Sequence, residues 1–124
     1  MIWFVFGSNE SGYHGAGAAH FAKLHHSAQM GAGFGPTGNA WAIPTKDWRI
    51  SPLDLDEIRF YVSRFIVFAL SHPNDTFHIT QIGCGLAGFT SAEIAPMFAG
   101  APKNCEFSSA WEEWIPGRTY WTDK

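Results

Sequence analysis

The sequence predicts a single α/β domain of three layers, with a mixed central sheet between helices. Three observations predict it. Apolar strand-like runs alternate with helix-period segments along the chain. Two of those runs end in glycine-rich loops that lead into helix starts, one after Val5-Phe6-Gly7-Ser8-Asn9 and one after His78-Ile79-Thr80-Gln81-Ile82. A chain of 124 residues, 46% hydrophobic and 15% charged, can bury one core but has little room for a second domain.

The elements follow in order. A strand is expected over about Trp3 to Ser8 and a helix over about Ala16 to Gln29. The glycine-rich stretch from Gly31 to Asn39 reads as a mobile flap or wide turn. Ala40 to Thr45 reads as a short strand whose Pro44 places it at an edge or a strand end. The clearest helix runs from Leu55 to Ser71: Asp54 and Glu57 have capping-box spacing, Ile58, Val62, Phe65, Ile66 and Ala69 form one stripe, and Pro73 stops it. A strand ending at Ile82 comes next. Thr90-Ser91-Ala92-Glu93 is a second capping box, opening a helix to Phe98 that Pro96 makes irregular. A last strand spans Asn104 to Ser108. Trp111, Trp114 and Trp121, with Pro116-Gly117 between them, either wrap back on the sheet or make a dimer contact.

The two glycine loops are the candidate site. Glycines at 83, 85 and 88 allow close backbone approach and positive φ. A glycine turn at a helix start presents free N–H groups and the positive end of the helix dipole, which suits an anion. The loop Glu10 to Gly17 repeats the arrangement. Two such loops in one small α/β domain can grip both ends of a pyrophosphate, so a nucleotide cleft is expected.

Charge and cysteine usage narrow the class. A net charge of −3 with no basic run argues against a nucleic-acid partner. No stretch approaches the roughly 18–20 apolar residues of a membrane span, and the start lacks a signal-peptide pattern. Cys84 and Cys105 read as reduced thiols, and the expected location is cytoplasmic. His14, His20, His25 and His26 have poor spacing for zinc, so no metal or other cofactor is expected. No nucleophile-elbow string accompanies Ser8 or Ser11, and the adjacent Glu112 and Glu113 cannot face one another on a helix.

Three segments in order, His14-Gly15-Ala16-Gly17, Ile43-Pro44-Thr45-Lys46 and Ile82-Gly83-Cys84-Gly85-Leu86, resemble the macro domain, and most of all its terminal ADP-ribose glycohydrolase-like branch. The resemblance covers about Phe4 to Phe107. It implies a macro-like domain over the whole chain and an ADP-ribose-like ligand in a surface cleft. Gly15, Ala16 and Gly17 would wrap the distal ribose and nearby phosphate, and Asn9 would face that ribose. Gly83, Cys84, Gly85, Leu86, Ala87 and Gly88 would cradle the diphosphate, with Phe89 beside it. Lys46 would be the amine nucleophile of the hydrolytic branch.

Two departures from the family bear on function. The acid that works with the lysine in the hydrolytic branch is replaced by Ala87, and a methyl group cannot manage protons. Glu10 and Asp47 are the nearby carboxylates that could substitute, though neither stands at the family's position. The Gly-Asp that reads the adenine amino group has no counterpart before Asn9; Tyr13, Trp41 and Trp48 are the aromatic candidates to stack a base. His14, beside the first loop, either donates to a phosphate or ribose hydroxyl or caps a turn.

The expected function is binding of ADP-ribose, or a cyclic or conjugated nucleotide made from it, without turnover, with sequestration as one use. The alternative is an ADP-ribosyl hydrolase acting on protein, base or phosphate through Lys46 or His14. A lower alternative is an interaction scaffold whose glycine loops are turns only.

Overall fold

A computed structural model describes residues 1–122. The fold is mixed α/β, with six strands in one sheet and three α-helices. The strands are β1 Ile2–Asn9, β2 Gly35–Thr37, β3 Ala40–Lys46, β4 Thr76–Ile79, β5 Cys105–Ser108 and β6 Thr119–Trp121. The helices are α1 Gly17–His25, α2 Leu55–Leu70 and α3 Ser91–Ile94, the last continuing as a 3₁₀ turn over Ala95–Phe98. The sheet order is β2-β3-β1-β4-β5-β6, and every pairing is parallel except β2 with β3.

Side-chain alternation along β1 divides the core. Trp3 and Val5 face α2, while Phe4 and Phe6 face α1. The α2 side is large and aromatic, built on Ile58, Val62, Phe65, Phe77, Phe98, Phe107 and Trp111. The α1 side is thin: Phe4 and Phe6 meet Ala19 and Ala22 of α1, with Ala40 and Ala42 of β3 alongside. Helices thus cover both faces, as a largely parallel sheet requires.

Both capping boxes form. The Glu57 carboxylate accepts the Asp54 N–H at 3.3 Å. Glu93 accepts the Thr90 N–H at 2.9 Å, and Thr90 Oγ1 accepts the Glu93 N–H at 3.2 Å. Pro96 does convert the second half of its helix to a 3₁₀ turn, because its ring cannot continue the α ladder. Pro44 stands beyond the three residues of β3 that β2 covers, on the uncovered stretch of that strand.

Three expectations change, and of the two alternatives for the C-terminal tryptophans the wrap back on the sheet is the one seen at Trp121. The helix α1 stops at His25 instead of Gln29, because the chain reverses at Ser27, held at φ +60. The strand β4 ends at Ile79 instead of Ile82, since the Ile82 N–H turns back to the Thr80 carbonyl at 2.8 Å. The stretch read as a flap contains β2. Trp121 comes back to the sheet in β6, donating its indole N–H to the Ile79 carbonyl at 3.0 Å. Among the described residues no helix is long and apolar enough to cross a membrane.

Candidate functional site

The parallel strands β1 and β4 are neighbours, but they feed opposite faces. The chain leaves β1 toward α1 and leaves β4 toward α3, on the other side of the sheet. A crevice must open between two strands whose continuations diverge, and this is where open α/β sheets bind ligands. A cleft of about 610 Å³ lies there. It reaches from Thr45 and Lys46 at the end of β3 to Ser108 of β5 and Trp121 of β6. The Trp121 indole folds back over β4, on His78 and the Ile79 carbonyl, so the lining spans three strand spacings of about 4.8 Å from β3 to β5, roughly 14 Å in all.

The two glycine loops form its walls. Gly15, Ala16 and Gly17 line one side, and Gly83, Cys84, Gly85, Leu86 and Ala87 line the other. Gly83 sits at φ +78, and a β-carbon placed on it would meet Ile94, so a side chain there would be strained and crowded. The start of α1 has no side-chain cap, and among the described residues the N–H groups of Ala16, Gly17 and Ala18 have no acceptor. The same holds for Gly85, Leu86 and Ala87. Both walls therefore carry amide donors that no described protein group occupies.

Lys46 is the only charged side chain among the described lining residues, and it makes no ion pair among them. No carboxylate and no histidine joins it. The remaining polar lining includes Ser8, Tyr13, Thr45, Thr80, Gln81 and Ser108. None of Ser8, Thr45, Thr80, Gln81 and Ser108 was foreseen, because what unites them is the sheet order, which brings distant strand ends together.

The expected residues divide. Asn9 lines the cleft, yet its side chain is engaged: Oδ1 accepts from Ser11 Oγ at 2.6 Å and the Tyr13 N–H at 2.9 Å, and Nδ2 donates to the Tyr13 carbonyl at 2.8 Å. It organises the first loop. Tyr13 is exposed on that loop, its ring over Gly15. Gly88 and Phe89 stay outside the lining; Phe89 packs on the core beneath the loop. Trp41 is buried among Phe34, Phe65 and Phe68, so it cannot stack a base. Trp48 is exposed outside the cleft, with the Arg49 guanidinium 4.6 Å from its ring centre.

His14 is the clearest correction. Its side chain is 0% exposed, edge-on to Phe6, with Nε2 donating to the Ala32 carbonyl at 3.1 Å. Burial pushes its pKa below the usual value, which keeps it neutral. Loop residues cover it, so it supports the first loop from inside and does not reach a ligand. Glu10 and Asp47 are also committed: Glu10 accepts the Tyr61 hydroxyl, and Asp47 accepts the N–H groups of Arg49 and Ser51. Cys84 lines the cleft as a thiol whose pKa burial raises, away from the thiolate.

No family model, curated protein or solved structure matches this chain.

Proposed function

We propose that this chain is a macro-like domain that binds ADP-ribose, or a nucleotide made from it, and releases it unchanged. One observation carries the reading: a cleft roughly 14 Å long with two loops of unspent amides and a single lysine, and with no acid or base among the other described residues that line it. The amides and the lysine suit a diphosphate. The length suits a nucleoside extended by a second sugar. Turnover needs a group to deliver or remove a proton, and Ala87 stands where the hydrolytic branch has one. Sequestration of a nucleotide signal is the use that such a binder would have.

A second reading, hydrolysis of an ADP-ribosyl bond, rests on Lys46, which lines the cleft and makes no ion pair among the described residues. One experiment separates the two. Wild type and Lys46→Ala are titrated calorimetrically with ADP-ribose and its cyclic and base-conjugated relatives, and the recovered ligand is chromatographed. The binder returns every ligand intact, and the variant loses about fivefold in affinity, the worth of one exposed charge contact. A converted ligand, with conversion lost in the variant, establishes the hydrolase. No heat from any member removes the nucleotide reading.

A further inference from the structure

We infer that Ile50 is a specificity-determining wall of the cleft, packing on a sugar that a nucleoside diphosphate carries at its Lys46 end. The inference rests on the nucleotide reading above and adds to it which part of the ligand is recognised there.

Ile50 has φ +66. For a β-branched residue this backbone region is crowded and costly. A tight turn holds it there. Asp47 Oδ1 accepts the N–H groups of Arg49 at 2.8 Å and Ser51 at 3.0 Å. The Asp47 N–H donates to the Ser51 carbonyl at 2.7 Å, and the Ile50 N–H donates to the Asp47 carbonyl at 3.0 Å. Behind the turn, Lys46 and Pro52 form an antiparallel bridge. Glycine or asparagine would fit the same backbone without the crowding.

Core packing does not account for the isoleucine. The residue is 42% exposed and belongs to neither core cluster. What it does touch is the cleft, beside Thr45 and Lys46. The amide-bearing loops stand over the ends of β1 and β4, and Ile50 stands on the β3 side of them. A diphosphate held by those amides turns whatever it carries toward β3 to Lys46 and Ile50. An amine next to an apolar surface complements a pentose, which has a hydroxyl edge and a C–H face. A further phosphate there would be drawn to Lys46 but would lose water against Ile50. A bare diphosphate would leave Ile50 without a contact.

The test uses wild type, Ile50→Gly and Ile50→Val, each titrated with ADP-ribose and with ADP and each melted thermally. Wild type is expected to bind ADP-ribose more tightly than ADP. Ile50→Gly should melt at or above the wild-type temperature, because relief of strain offsets the added chain entropy. It should lose about fivefold or more on ADP-ribose and less than about twofold on ADP, the signature of one lost apolar contact. Ile50→Val keeps the wall and should stay within about twofold on both ligands. If the glycine variant fails to fold, Ile50→Asn takes its place. A folded variant that keeps wild-type affinity for ADP-ribose, or loses equally on both ligands, overturns the inference. So does a wild type that binds ADP as tightly as ADP-ribose, which leaves the nucleotide reading standing. A wild type that binds neither overturns that reading itself.

Discussion

The Tyr61 hydroxyl donates to Glu10 Oε2 at 2.6 Å, tying α2 to the turn that follows β1. This bond occupies the carboxylate that precedes the first glycine loop. It also holds the phenol protonated: the hydrogen bond to Glu10, then burial, then the charge of Glu10 push the Tyr61 pKa up to about 12.

A raised pKa in the folded state stabilises the fold below the unfolded value, about 10 for tyrosine, and that contribution is lost as pH rises toward about 12. Tyr61→Phe should therefore lower the melting temperature at neutral pH and flatten the decline between about pH 10 and 12. Parallel alkaline melting curves for the two proteins would show that the bond does not form in solution.

Gly85 and Gly83 should behave differently although they stand two apart. A β-carbon on Gly85 meets nothing within 4 Å, and its φ is not in the left-handed region. Gly85→Val should leave the fold intact, place a branched side chain in the cleft and remove ligand binding. Gly83→Val should lose both, since φ is +78 and Ile94 lies 3.3 Å from the new carbon. Circular dichroism with calorimetry on both variants separates the outcomes. A folded Gly85→Val that still binds ADP-ribose would leave the glycine loop as a turn only.

Asn104 closes the C-terminal end of α2. Its Nδ2 lies 3.2, 2.9 and 3.0 Å from the carbonyls of Ala69, His72 and Asp75. Asn104→Ala should cost roughly 2 kcal/mol by leaving those acceptors without their shared donor. For a domain this size that is a drop of roughly 8 °C in melting temperature. A thermal scan that moves by less than a degree would contradict the role.

Local chemistry was legible where it acts over a few residues. Capping boxes at Asp54 and Thr90, the break at Pro96 and both glycine loops follow from spacing alone, and the structure has each of them. What failed to show was decided by contacts distant in the chain. The strand β2, Gly35-Pro36-Thr37, has poor intrinsic strand preference and exists because β3 offers it an edge. Trp41 and His14 look available by residue type, yet the first is enclosed by α2 and Phe34, and the second by Phe6 and the Met30–Ala32 segment. Asn9 resembles a ligand contact because its side chain is polar and lies at a strand end; its partners are three atoms of its own loop, on Ser11 and Tyr13.

The alanines between α1 and the sheet set how far the helix stands off. With Ala19 and Ala22 on one side and Ala40 and Ala42 on the other, α1 rests close against the strands. Its uncapped start is carried down with it, to the level where the strands end. The gap between the two glycine loops is therefore governed in part by small side chains, of which Ala22, Ala40 and Ala42 lie outside the cleft lining. Thickening that layer by one or two carbons would raise the whole helix and widen the cleft, so the width of the cleft is adjustable from the interior.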